Sequence, residues 1–300
     1  MNEFACEVRR GLSKAQKELP SRYLYDELGS ALFETITVLP EYGLTRADQR
    51  LLEQHAREIP REFAAVAEFG SGSGRKTRAV LEALEPEQYF PVDVSGHALE
   101  RCRKELAGLA RIEPVEASYL NGLDRIPRNG APILVLFLGS TIGNFDSRCR
   151  GDFLTQVRAR LREGDALLIG YDLVKPAEVM LDAYDDPTGV TASFNLNLLG
   201  RINRELSGDF DLRAFAHQAR YDPQERRIEM HLRSRIDQTV TIRDAEFQCT
   251  FRADETIWTE SSHKFHADEI PEIARDSGFV QQAQWIDREW PFAENLWRAA

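Results

Sequence analysis

The apolar positions of this chain change rhythm twice. From residue 63 onward, short apolar runs alternate with amphipathic stretches: Phe63–Phe69, a helical pattern over 75–86, Tyr89–Val94, a helix over 96–109, Ile133–Leu138, a helix over 151–162, and Ala166–Leu173. Continuous apolar runs separated by helix-period segments predict a parallel, doubly wound sheet with crossover helices. After Leu173 the order breaks. Helices are expected at Pro176–Tyr184 and Phe194–Leu206, and Phe215–Tyr221 and Arg227–Arg235 flank the turn Asp222-Pro223-Gln224-Glu225 as a hairpin. Strand alternation returns at Thr239–Ile242, Phe247–Phe251 and Thr256–Phe265, followed by a helix over 267–276 and a strand at Phe279–Ile286. Before residue 59 the pattern is helical, with a helix around Ala31–Thr37 and another whose start is marked by Thr45 and, three residues on, Asp48, a cap-like spacing ahead of Leu51 and Leu52. The resulting expectation is two domains: 60–173 plus 256–300 as the doubly wound one, and 1–59 plus 174–255 as a second, α+β one.

Composition narrows the class. With 300 residues, 42% hydrophobic and 29% charged, the chain can bury one large core or two unequal ones. A net charge of -11 opposes nucleic acid as a partner, because phosphate binding needs a basic footprint, and points to a small substrate. Cys6, Cys102, Cys149 and Cys249 are far apart and form no C-x-x-C pair, which suggests neither a disulfide framework nor a zinc site. The first residues lack an apolar leader and no apolar run is long enough to span a bilayer, so a cytoplasmic protein with no membrane partner is expected.

The densest chemical signal is Glu68-Phe69-Gly70-Ser71-Gly72-Ser73-Gly74-Arg75-Lys76, at the junction of an expected strand and helix. Glycines on alternate positions let the backbone turn tightly and approach a ligand. The dinucleotide fingerprint requires glycine where Arg75 stands, so the spacing suits S-adenosylmethionine better than NAD. Asp93 closes the next expected strand, where a carboxylate can accept hydrogen bonds from both ribose hydroxyls; it can equally start a turn ahead of a Ser95 cap. Lys76, at the helix start, is placed either to hold a cofactor carboxylate or to stand in solvent. The loop Gly139 to Asn144 follows a nearly pure apolar strand, and the Asn144 amide suits either an amino-acid head group or an Asx turn. Ligands of such sheets bind at the carboxyl ends of the strands, so these three segments should meet in one crevice.

Further along, Met230 falls on the apolar face of Arg227–Leu232 and reads as core or as a pocket floor. Glu260 and Ser262 are two apart on an extended segment and so share a side, either as surface polarity or as a pair able to hold a polar ring. His263 and His266 lack a third ligand at a useful spacing, so no metal site is expected.

Ordered blocks along the chain resemble the L-histidine Nα-methyltransferases of ergothioneine biosynthesis. They are Tyr25-Asp26-Glu27-Leu28-Gly29-Ser30-Ala31-Leu32-Phe33-Glu34, Leu39-Pro40-Glu41-Tyr42, the glycine loop, Gly139 to Asn144, Ala183-Tyr184-Asp185-Asp186 through Phe194-Asn195, Asn203-Arg204-Glu205-Leu206, Asp209-Phe210-Asp211, Ile228-Glu229-Met230 and Thr259-Glu260. The resemblance implies a Rossmann-like class I methyltransferase sheet with a second, α+β substrate-binding domain, S-adenosylmethionine as cofactor and hercynine as product. By position it assigns Gly70, Gly72, Lys76, Asp93, Ser118 and Tyr119 to the cofactor. It assigns Tyr25, Tyr42, Asn144, Tyr184, Phe194, Met230, Glu260 and Ser262 to the amino-acid substrate, with Tyr25, Asn144 and Tyr184 positioning it and no residue acting as nucleophile. Two departures stand out: Gly43-Leu44 replaces the family's Tyr-Pro, and Ser118 replaces an acidic residue. A related enzyme acting on another amino acid or aromatic amine, such as a tryptophan derivative, is the alternative the residues leave open.

Overall fold

A computed structural model describes residues 2–128 and 130–299; Met1, Asn129 and Ala300, which the expected domain ranges include, lie outside the described residues. The chain forms two compact units, Met1–Gly43 with Lys175–Ser262, and Leu44–Val174 with His263–Ala300.

The second unit is built on an eight-stranded sheet. Ala65–Phe69 lies at its centre, parallel to Gln88–Asp93 on one side and to Ile133–Phe137 on the other. Ile133–Phe137 in turn pairs in parallel with Ala166–Asp172. Both faces of these strands are covered, which is why they read as apolar runs without alternation. Ala65, Ala67 and Phe69 point into one core with Val135, Phe137 and Ile169. Val66 points into the other with Leu134, Leu136 and Leu168. At one end the sheet finishes with an antiparallel hairpin: Phe292–Ala299 pairs with Ala166–Asp172 and then with Phe279–Asp287 at the edge. Phe292–Ala299 has no counterpart in the sequence reading, because Glu294 and Asn295 interrupt its apolar run although both are buried.

The first unit has a four-stranded sheet in the order Lys17–Glu18, Thr256–His263, Arg227–Ser234, Phe215–Asp222, a two-stranded hairpin Gln238–Ile242 with Phe247–Phe251, and helices Glu3–Leu12, Glu27–Ile36, Ala177–Tyr184 and Val190–Leu206. Asp26 caps Glu27–Ile36 by accepting from Gly29 N–H at 2.7 Å, and its carboxylate also takes Asn197 Nδ2 at 2.7 Å and Arg204 Nη2 at 2.6 Å. One side chain thereby ties that helix to Val190–Leu206.

Three expectations need correction. Residues 256–262 lie in the first unit, because Thr256–His263 pairs with Lys17–Glu18 in parallel and its Thr259 hydroxyl donates to the Met230 carbonyl at 3.0 Å. Residues 44–59 lie in the second unit, where Leu52, Ala56 and Ile59 join its core. The helix Leu44–His55 starts before Thr45, which leaves Asp48 within it and wholly buried instead of serving as a cap partner.

Candidate active site

The residues expected to serve the cofactor are set by the sheet of the second unit. Gly70 follows Ala65–Phe69, Asp93 ends Gln88–Asp93 and Gly139 follows Ile133–Phe137, so three neighbouring parallel strands deliver all three segments to one edge. Gly70 and Gly72 have φ of +71° and +51°, a region in which side chains are strained. A methyl group built on Gly70 would sit 3.3 Å from the Tyr119 hydroxyl, whereas one on Gly72 would meet nothing within 4 Å, so the backbone is open there. Asp93 accepts from Ser95 N–H at 2.9 Å, and Gly72 and Val94 N–H groups also reach it. Burial raises its pKa and these donors oppose the rise. Bare backbone beside a half-buried carboxylate fits the ribose end of a nucleoside cofactor.

Tyr119 opens the helix Tyr119–Leu123 and stacks on Phe69 at a 5.4 Å centroid distance, so its ring is also part of the core beneath the loop. Ser118, just before it, is exposed and its side chain makes no cap bond. Lys76 precedes the helix Thr77–Leu84 and its ammonium is engaged by Asp48, whose Oδ2 also accepts from Gly139 N–H at 2.9 Å. Burial would lower the Lys76 pKa, yet the Asp48 charge and hydrogen bond outweigh it and hold the pKa above its usual value. Asn144 ends the short turn Thr141–Asn144 and is half-buried. That turn is anchored by Ser140, which holds a strained φ of +55° and accepts the Asp172 N–H on its Oγ at 2.8 Å, and by His263 Nδ1, 2.9 Å from the Gly143 carbonyl.

In the first unit the substrate-type residues form a connected group. Phe194 and Tyr25 meet edge to face at 5.4 Å, Phe33 lies 5.5 Å from Tyr25 and 6.4 Å from Tyr42, and Tyr42 lies 6.1 Å from Tyr184. The Tyr184 hydroxyl donates to Ser262 Oγ at 2.7 Å. Ser262 and Glu260 are both buried on Thr256–His263, against the expectation for surface polarity. Met230 is buried on the neighbouring strand Arg227–Ser234. A buried carboxylate, a hydroxyl pair and a ring of aromatic faces can receive a small polar ring with a charged or hydrogen-bonding edge.

Three contributors escaped the sequence reading. Phe33 lies inside a quoted block and links Tyr25 to Tyr42, but helix periodicity makes it one apolar residue among several. His217 reaches the Tyr184 carbonyl through Nε2 at 2.7 Å and Asn195 through Nδ1 at 2.9 Å; burial lowers its pKa, which favours a neutral ring bracing Tyr184. Asp48 carried a cap-like spacing that concealed its burial. Among the described residues, no group of three or more His, Cys, Asp or Glu is placed to hold a metal ion, and no helix is long and apolar enough to cross a membrane.

The antiparallel strand Phe292–Ala299, inserted between the edge strand and Ala166–Asp172, sets this sheet apart from the all-parallel nicotinamide-binding arrangement and gives it the strand order of a class I, Rossmann-like methyltransferase fold. Residues 4–299 match the family described as histidine-specific, SAM-dependent methyltransferases, and the chain belongs to that family. It is 40% identical to the histidine N-alpha-methyltransferase of Mycolicibacterium smegmatis, over 97% of this chain and 93% of that protein. It is 30% identical to ergothioneine biosynthesis protein 1 of Schizosaccharomyces pombe, over 91% of this chain and 37% of that longer protein. The L-tryptophan methyltransferase trpM of Psilocybe serbica is 28% identical over 94% of this chain and 89% of its own length.

Proposed function

We propose that this protein methylates the α-amine of L-histidine three times with S-adenosylmethionine, producing hercynine in the first step of ergothioneine biosynthesis. The observation that carries the choice of substrate is Glu260 buried on the same strand as Ser262: a carboxylate can accept an imidazole N–H while the Ser262 hydroxyl serves the second ring nitrogen, which an indole lacks. Bound S-adenosylmethionine supplies a sulfonium methyl group open to in-line attack by an amine. The chain's own task is then to hold the acceptor still and to keep water out, with no protein nucleophile required. Glu260 and Ser262 take the two imidazole nitrogens, with Met230 lining the ring pocket. Tyr184 and Asn144 take the amino-acid head group, and Tyr25, Tyr42 and Phe194 supply the apolar wall. Gly70, Gly72, Asp93, Ser118 and Tyr119 serve the nucleoside part of the cofactor, and Lys76 its carboxylate. We place the reaction in the cytoplasm, in keeping with the free thiols of Cys6, Cys102, Cys149 and Cys249.

The test is a panel of the twenty amino acids with purified protein, read by product mass. Histidine gaining three methyl groups is the expected result. Cofactor turnover on tryptophan in preference to histidine would move the protein to the alternative specificity, and cofactor binding with no methylated product would make it a binding protein.

A further inference from the structure

Beneath the glycine loop lies a buried acidic group that the proposed chemistry does not use. Asp48 and Glu294 are 0% and 1% exposed. Asp48 Oδ1 and both Glu294 oxygens have no donor within reach among the protein's own N–H and O–H groups. Two carboxyl groups facing each other without donors are satisfied when one of them keeps a proton and donates it to the other. Burial first, and the Asp48 charge second, drive the Glu294 pKa well above its usual value, which makes Glu294 the protonated partner. The other oxygen of Asp48 is already committed to Lys76 Nζ and to Gly139 N–H at 2.9 Å. A side chain at Gly139 would be strained, since its φ is +71°, and an added methyl would crowd Lys76 Nζ at 3.0 Å. Glu68 also faces this group, acting on both Asp48 and Lys76, and Tyr89 is bonded to it.

We propose that Asp48, bridged by one proton to Glu294, is a positioning residue for the cofactor site: it locks the glycine loop at Lys76 and the Asn144-bearing loop at Gly139 into a single register. The inference rests on the assignment of Lys76 to the cofactor carboxylate. Because Asp48 already neutralises Lys76, Glu294 must stay uncharged; a second negative charge beside Lys76 would oppose an incoming carboxylate.

The experiment is calorimetric titration of the full-length protein with S-adenosylhomocysteine across pH, with folding followed by circular dichroism. Asp48→Ala should weaken binding by about tenfold, and Asp48→Asn, which keeps an acceptor oxygen for Gly139 N–H, should recover most of that loss. Wild-type affinity should decline on an alkaline limb as Glu294 ionises. Glu294→Gln should abolish that limb, and Asp48→Asn should move it to lower pH by removing the neighbouring charge. Every profile is read in a Glu68→Gln background, because Glu68, which ionises near 7 beside Lys76, would add a limb of its own. If Asp48→Ala does not fold, these two pH profiles decide, since a residue that merely packs would leave the limb in place. A folded Asp48→Ala protein with wild-type affinity, or a limb that survives Glu294→Gln, overturns the proposal. Lys76→Met separates the two readings: wild-type affinity in that variant removes the Lys76 assignment, whereas weakened binding there with Asp48→Ala unaffected removes only the role of Asp48.

Discussion

In the proposed reading the two units would recognise their ligands by different means. In the unit carrying the glycine loop, the proposed recognition is largely by backbone shape: Gly70 and Gly72 at positive φ, with open space beside Gly72, and one carboxylate, Asp93, at the end of a strand. In the unit carrying Glu260 it would be entirely side chain, drawn from two strands, three helices and the loop positions Tyr25 and Tyr42, and joined by aromatic edges and the Tyr184–Ser262 hydrogen bond. Backbone recognition suits a ligand that many enzymes share, because it constrains only the shape of a loop. Side-chain recognition suits a ligand that must be told from close relatives, because each polar group that loses its partner imposes a penalty.

That contrast predicts separable failures. Glu260→Ala should raise the KM for histidine by about a hundredfold, the loss of a charge-assisted contact in a buried site, and leave the S-adenosylhomocysteine Kd within about twofold. Steady-state kinetics beside calorimetry check this, and equal losses in both constants would remove the imidazole role. Asp93→Ala should do the reverse, weakening cofactor binding by about thirtyfold while the histidine KM, measured at saturating cofactor, stays near wild type.

A smaller effect concerns the buried acids under the loop. Glu68 is 2% exposed and accepts from the Thr77 hydroxyl at 2.7 Å and from the Tyr89 hydroxyl. Burial pushes its pKa up to about 7, against which the two hydroxyl bonds and the Lys76 charge act. An acid whose pKa is raised in the fold contributes stability that is complete below the unfolded value of 4.5 and declines as pH rises, until the folded group itself ionises near 7. Glu68→Gln keeps an acceptor for both hydroxyls and cannot ionise. Less the cost of its buried amide donor, it should stabilise the protein by about 1 kcal/mol at pH 8 and have no stabilising effect at pH 4. Denaturant midpoints at the two pH values measure this, and a gain of the same size at both would mean that ionisation is not the cause.

The same contrast explains what was legible in the sequence. The glycine loop was, because a backbone that needs positive φ announces itself in residue type, and the parallel strands were, because burial on both faces leaves unbroken apolar runs. Asp48 was not: Thr45 and Asp48 have the spacing of a helix cap, and only the packed fold reveals that this carboxylate is fully buried against Lys76 and Gly139. The strand Phe292–Ala299 was hidden by Glu294 and Asn295, which sit inside the core where the pattern demands apolar side chains. Thr256–His263 read correctly as a strand, yet its sheet was misassigned, since pairing partners are a tertiary choice that alternation does not encode. The proposed acceptor residues follow from family resemblance; periodicity alone leaves Glu260 and Ser262 open between surface polarity and a pair holding a polar ring, and Met230 between core and pocket floor.

The gentlest perturbation sharpens the comparison where this chain departs from its family. Ser118 stands at an exposed position beside Tyr119, where the family resemblance implies an acid, and its hydroxyl makes no bond to the helix that follows. An aspartate there could gain twice: as an acceptor for the adenine amino group, and as a side-chain cap on Tyr119–Leu123, which Ser118 does not supply. Exposure limits both gains, since water competes for the carboxylate. Ser118→Asp should therefore tighten S-adenosylmethionine binding by only about threefold, with the histidine KM unchanged. Comparing S-adenosylhomocysteine with its inosine analogue, which lacks the amino group, isolates the first effect: Ser118→Asp should favour the adenosine compound alone. Equal tightening of both would assign the gain to the helix terminus and leave the adenine amino group without a partner at this position. Because no acceptor-unit residue is touched, any change in the choice among amino acids would break the separation between the two units' tasks.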